Sequence, residues 1–157
     1  DLSAINSSNT INSELSRFND QINKGQLYLG PAANLTSKTR NMLGTSNEQS
    51  RNFASFNATL EKLRNESLRL NKGVQTEGDS QRVWNELIAN INDPKVVQQR
   101  IAEIQRLNQM ASDFKRNIIV QRRDDNKLPA LDFNRVLGGN QPQDPLELEM
   151  RRRGLIK

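Results

Sequence analysis

Few residues of this chain have the types and spacing to do chemistry. Glu86, Glu103 and Asp113 are the acids to consider together. Glycoside hydrolysis needs one carboxylic acid that protonates the leaving oxygen and a second carboxylate opposite it. Each of these three acids lies on a polar helix face with bases nearby, and none sits among apolar residues. Solvated helix faces are therefore the preferred reading. Gly73 and Gly78 fall in Lys72-Gly-Val-Gln-Thr-Glu-Gly-Asp79. A phosphate loop would need G-x-x-x-x-G-K-[ST] or G-x-G-x-x-G, and neither is present. A turn between two helices accounts for both glycines. The only tryptophan, Trp84, could stack a nucleic-acid base. Beside Val83 and one turn from Leu87 and Ile88, it reads instead as an anchor in a core or interface. Arg151, Arg152 and Arg153 could touch phosphates. In the last turn of a helix, the same cations complement the macrodipole.

The chain has no histidine and no cysteine. Ser-His-Asp catalysis, imidazole and thiolate metal sites, and disulfides are excluded with them. No catalytic residue, cofactor or metal is expected. No apolar run approaches the ~18 residues of a membrane-spanning helix. The chain begins Asp1-Leu2-Ser3 without methionine, as expected of a processed or trimmed piece of a longer protein.

The elements that would position these residues are helices. Ile11, Leu15, Phe18 and Ile22 recur at 4, 3, 4 and predict a helix over about 1–24. Gly25 to Pro31 is a turn, with Leu27-Tyr28-Leu29 packed on a neighbour. A longer helix is predicted over 35–71. Its seam is Leu35, Thr39, Met42, Ser46, Gln49, Phe53, Phe56, Leu60, Leu63, Ser67 and Leu70, with a weak point at Gly44 to Ser46 and Gly73 as C′ residue. Asp79-Ser80 caps a third helix over 80–92, with Val83, Trp84, Leu87, Ile88 and Ile91 on one face. Asp93 and Pro94 restart the chain as N-cap and N1. The fourth helix, 94–121, buries Val97, Ile101, Ile104, Leu107 or Asn108, Ala111, Phe114 and Ile118. Residues 122–157 read as an extended linker, with a short apolar patch at 128–137, and a C-terminal docking helix from Pro145 to Arg153. The fold class is all-α: elongated helical hairpins or coiled-coil-like helices with an irregular C-terminal tail, assembled as oligomers.

Composition points the same way. The apolar fraction is 34%, below the ~45–50% of globular chains even after the glycines are added. Asn and Gln make up roughly a fifth of the residues. Amides in such number suit long helices that hydrogen-bond across their faces. The competing reading is partial disorder, most of all at the two ends. The net charge is +5 with acids and bases interspersed, and neither half is a basic arm.

The run K-G-V-Q-T-E-G-D-x-Q-R-x-W at 72–84, the following N-D-P helix start and the R-R-G-L close resemble internal virion proteins of tailed bacteriophages. These are the ejection or DNA-transfer proteins. The likeness is best over 72–133. It implies a helical virion protein that forms a ring or tube and, on infection, moves to the host periplasm or envelope. Its partners would be copies of itself, portal or tail proteins and, transiently, genomic DNA. Frankly apolar membrane segments are missing, so membrane contact is not implied directly. Physically, narrow 3/4 seams rich in amides are expected to bury one face on a neighbour. The residues expected to bind partners are Phe53, Phe56, Leu60, Leu63, Trp84, Leu146, Met150, Arg151, Arg152 and Arg153. Two other functions fit the same chain: a scaffolding or head-completion protein, and a helical nucleic-acid binder using Arg122-Arg123 and Arg151 to Arg153.

Overall fold

The computed structural model describes residues 2–29 and 48–137. Of these, 81% are helical, and none of them is in a strand. The chain divides into two units, residues 1–119 and 120–157. The first holds α1 (Leu2–Asn23), α2 (Glu48–Asn71), α3 (Glu77–Ala89) and the greater part of α4 (Pro94–Asp125). The second holds the end of α4 and the short α5 (Phe133–Leu137). The expected first part of the long helix, with its weak point at Gly44 to Ser46, lies outside the described residues, as does the expected docking helix from Pro145.

Each helix ends where local chemistry stops it. After α1, Gly25 takes φ +67, and the N–H groups of Gln26 and Leu27 return to the Gln21 carbonyl at 2.8 and 3.0 Å. Only a residue without a Cβ adopts that conformation cheaply. Leu27 and Leu29 then turn inward and are buried, while Tyr28 stays exposed. After α2, Gly73 takes φ +72. The next helix starts at Glu77, earlier than the expected Asp79-Ser80. The Glu77 carboxylate accepts the Gly73 N–H at 2.8 Å, and Thr76 stands as N-cap without a side-chain capping bond. Gly78 therefore lies inside the first turn of α3 and does not bracket the loop, and Ser80 is a buried helix residue. α3 also ends sooner, at Ala89. Asn90 closes it, its N–H reaching the Glu86 and Leu87 carbonyls. Asp93 Oδ1 accepts the Lys95 and Val96 N–H groups at 3.0 and 3.2 Å, so α4 opens on a capped Pro94.

The first four helices alternate in direction around one core. Arg69 reaches Ser7, and Asn52 reaches the Gln26 carbonyl, which sets α2 antiparallel to α1. Trp84 to Ser67 and Arg64 to Asn85 set α3 against α2. Arg82 to Glu103 and Arg100 to Glu86 set α4 against α3. Asn108 to Asn12 and Gln98 to Asn23 close α4 onto α1. The core draws Ile11, Leu15 and Phe18 from α1 and Phe53, Phe56, Leu60 and Leu63 from α2. Val83, Trp84 and Leu87 come from α3, and Val97, Ile101, Ile104 and Leu107 from α4. Phe18 and Phe56 meet edge to face with ring centroids 4.9 Å apart. Each fully buried side chain of this size contributes about 1.5–3 kcal/mol relative to exposure. Four stripes too narrow to cover themselves singly cover one another.

The fourth stripe is shorter than its period suggests. Ser112 is the last fully buried residue of α4, Phe114 is 45% exposed and Ile118 is half-buried. Asn108 lies beside Ser8 and Asn71, so α1 and α2 both run out within about a turn of Ser112. The helix itself continues to Asp125, past the expected end near 121.

Candidate functional site

The least ordinary feature of the core is polar. Trp84 Nε1 donates to Ser67 Oγ at 2.9 Å, and the Ser67 hydroxyl donates to Asn108 Oδ1 at 2.7 Å. Asn71 Nδ2 donates to the same Asn108 oxygen at 3.0 Å and to the Ser67 carbonyl at 2.9 Å. Thr76 Oγ1 donates to Asn71 Oδ1 at 2.6 Å. Asn108 Nδ2 donates to Asn12 Oδ1 at 3.1 Å, and Ser8 Oγ reaches the Asn108 carbonyl at 3.5 Å. Ser67, Asn71, Trp84 and Asn108 are each 0% exposed. All four helices and the 72–76 turn thus converge on one amide. From it, a row of amides runs along the α1–α4 seam. Gln105 Nε2 donates to the Asn12 carbonyl at 2.9 Å and to Ser16 Oγ at 2.7 Å, and Gln98 Nε2 donates to Asn23 Oδ1 at 2.7 Å. Buried amides left without partners would cost about 1–3 kcal/mol each, so their pairing here is what makes the arrangement tenable.

Two of the three acids considered for catalysis, Glu86 and Glu103, are held in ion pairs on the α3–α4 surface. Arg100 bridges Glu103 at 2.6 Å and Glu86 at 3.2 Å. Arg82 meets Glu86 at 3.2 Å, Glu103 at 3.5 Å and Asp79 at 3.6 Å. The hydrogen bond to Glu86 and its charge hold the Arg82 guanidinium above its ordinary value, with smaller help from Glu103 and Asp79 against some desolvation. Asp113 lies apart and accepts from Gln109 at 2.9 Å. Arg82 and Arg100 each bridge Glu86 and Glu103, so the four side chains form a clasp between α3 and α4. Among the described residues, no group of three or more His, Cys, Asp or Glu could hold a metal ion. No described helix is long and apolar enough to cross a membrane.

The residues expected to meet partners are placed as follows. Phe53 is 3% exposed, Phe56 0%, Leu60 and Leu63 4% each and Trp84 0%. The seam they form is covered from within, by α1, α3 and α4 of the same chain. Trp84 turns its ring to the core and offers no face to a base. Leu146, Met150, Arg151, Arg152 and Arg153 lie outside the described residues. Arg123, of the other expected basic pair, donates to the Pro129 carbonyl at 2.8 Å. Sequence reasoning missed Asn71, Thr76 and Asn108 as a set. Ser67 had been legible as a polar break in the α2 seam, but nothing in spacing pairs it with a residue 41 positions away.

Among the described residues, the first unit carries two open concavities of note. One, of about 370 Å³, lies between α1 and α2, and its walls mix Glu14, Lys62 and Glu66 with Leu63. The other, of about 290 Å³, lies between the 72–76 turn and α4. Val74, Thr76, Leu107, Met110 and Phe114 line it, and Arg106 at its rim donates to Met110 Sδ at 3.3 Å. Met110 and Phe114 are 47% and 45% exposed, so this groove presents apolar side chains to solvent. Comparison with protein-family models, curated proteins and solved structures finds no match.

Proposed function

We propose that this chain is a structural component of a bacteriophage particle. In this reading it is an ejection or DNA-transfer protein that forms part of a helical ring or tube at the portal or tail and serves genome delivery into the host. The observation that carries the reading is the 72–84 run. The segment that resembles such proteins is also the joint of the fold: Gly73 makes the turn, and Thr76 and Trp84 send their polar groups to the buried amide cluster. The contacts made by Gly73, Thr76 and Trp84 support reading the run as one structural unit.

In a ring, the α1–α2 and α3–α4 hairpins would stand beside those of neighbouring copies. Because the seam of α2 is occupied internally, copies would meet through outer faces, among them the Met110–Phe114 groove. Leu146, Met150 and Arg151 to Arg153 would dock on a portal or tail protein, the arginines on its carboxylates or on DNA phosphates. Mixed surface charge favours a conduit over a tight DNA binder.

The test is to quantify the chain in purified particles before and after DNA release, together with its mass in solution with and without a portal protein. Presence before release and loss after it supports the reading. Presence only in precursor particles would replace it with a scaffolding role. Steeply salt-dependent DNA binding by the isolated chain would favour the nucleic-acid role instead.

A further inference from the structure

The apolar stripes of this chain say little about which helix should lie against which, or at what level. On α2, Phe53, Phe56, Leu60 and Leu63 repeat at 3 and 4, as do Ile11, Leu15 and Phe18 on α1 and Val97, Ile101, Ile104 and Leu107 on α4. Sliding one such stripe by a turn brings aliphatic groups onto aliphatic groups. Pairing α2 with α2 of a second copy does the same. Seams of this kind tolerate many alignments unless a polar group selects one.

Four polar groups interrupt these stripes at one level: Ser8 on α1, Ser67 on α2, Trp84 Nε1 on α3 and Asn108 on α4. Asn71 and Thr76 complete the set from the end of α2 and the turn beyond it. A slip of α4 by one turn toward the start of α2 would move Asn108 beside Leu63. The buried Asn71 amide would lose its acceptor on Asn108, while Ser67 alone would remain within reach of it. In an antiparallel pair with α2 of a second copy, the same groups would face the apolar end of the stripe. In the observed arrangement every side-chain nitrogen and oxygen of the cluster has a partner.

We propose that the Asn108 cluster is a register lock. It selects the single-chain four-helix arrangement over slipped alignments and over antiparallel α2 pairing between copies, and it is retained for that selection and not for the stability it adds. Replacing such a cluster by apolar groups of similar shape should leave stability equal or higher while uniqueness is lost.

The experiment compares the unaltered chain with the triple variant Asn71→Leu, Thr76→Val, Asn108→Leu. Ser67 and Trp84 stay, because the serine hydroxyl can turn to a carbonyl of its own helix. The variant is expected to keep its helical content and its melting midpoint. It should also show two-fold or higher mass relative to the unaltered chain at equal concentration, or a broadened, multiplied set of backbone amide resonances. One species with the unaltered mass and one sharp set of resonances would overturn the proposal. Should the larger side chains overfill the core, Asn71→Ala, Thr76→Val, Asn108→Ala serves in their place with the same readings. Loss of helix in both variants would also overturn it, since the cluster would then be a condition of folding and not a choice among folds.

Discussion

Trp84 contributes to stability in two ways that substitution can separate. Its ring is fully buried in the core, and its N–H is bonded to Ser67 at 2.9 Å. Trp84→Ala removes both and is expected to cost about 3–5 kcal/mol in a denaturant titration. Trp84→Phe keeps most of the ring but strands the Ser67 acceptor, and should cost about 1–3 kcal/mol. Equal losses for the two would show that the ring's bulk matters little. Gly73 offers a cleaner case. Its φ of +72 is unfavourable for any residue with a Cβ, yet an added Cβ would meet nothing within 4 Å. Gly73→Ala should therefore cost about 1 kcal/mol through the backbone alone, and Gly73→Asn less. An unchanged midpoint for the alanine variant would mean that the turn relaxes freely. Of these residues, Trp84 and Gly73 stood out in the sequence by type and position. Asn108 did not, because one amide among so many carries no mark of which distant side chains it will meet.

Among the helices, the periodic stretches were the legible part. The 3/4 spacing from Phe53 to Leu70 is the face that α2 buries, and Asp93-Pro94 opens α4. Element ends were less legible. Asp79-Ser80 looked like a cap, but the Glu77 carboxylate reaches back to Gly73 and starts α3 earlier. Phe114 and Ile118 continue the α4 stripe, yet their burial depends on where α1 and α2 stop, which periodicity along α4 does not encode. The α3–α4 clasp depended on the same kind of knowledge: Glu86 and Glu103 share Arg82 and Arg100 across two helices. Glu103, 25% exposed, is its most sheltered acid. Glu103→Gln should lower stability by no more than about 1 kcal/mol, with a smaller loss in 1 M salt, where the charges are screened. A loss that is unchanged by salt would assign the effect to packing of the side chain and not to its charge.

For the whole first unit, a low apolar fraction did not prevent a closed core. Four narrow stripes face inward together, and amides bridge where apolar groups are lacking, most continuously between α1 and α4. The alternating helix directions have a mechanical consequence. The start of α1 and residue 112 of α4 lie at the same end of the core, with Ser8 level with Asn108 there and Asn23 level with Gln98 at the other end. A pull applied between residues 2 and 119 would open that row as a zipper opens, loading the contacts near Asn108 first and the one at Gln98 last. A pull between residues 23 and 119 would load the whole row in shear. Single-molecule stretching is expected to give a lower unfolding force in the first geometry than in the second, and equal forces would mean that another seam yields first. A chain drawn end-first through a narrow opening would then come apart under modest tension, whatever its resistance to heat.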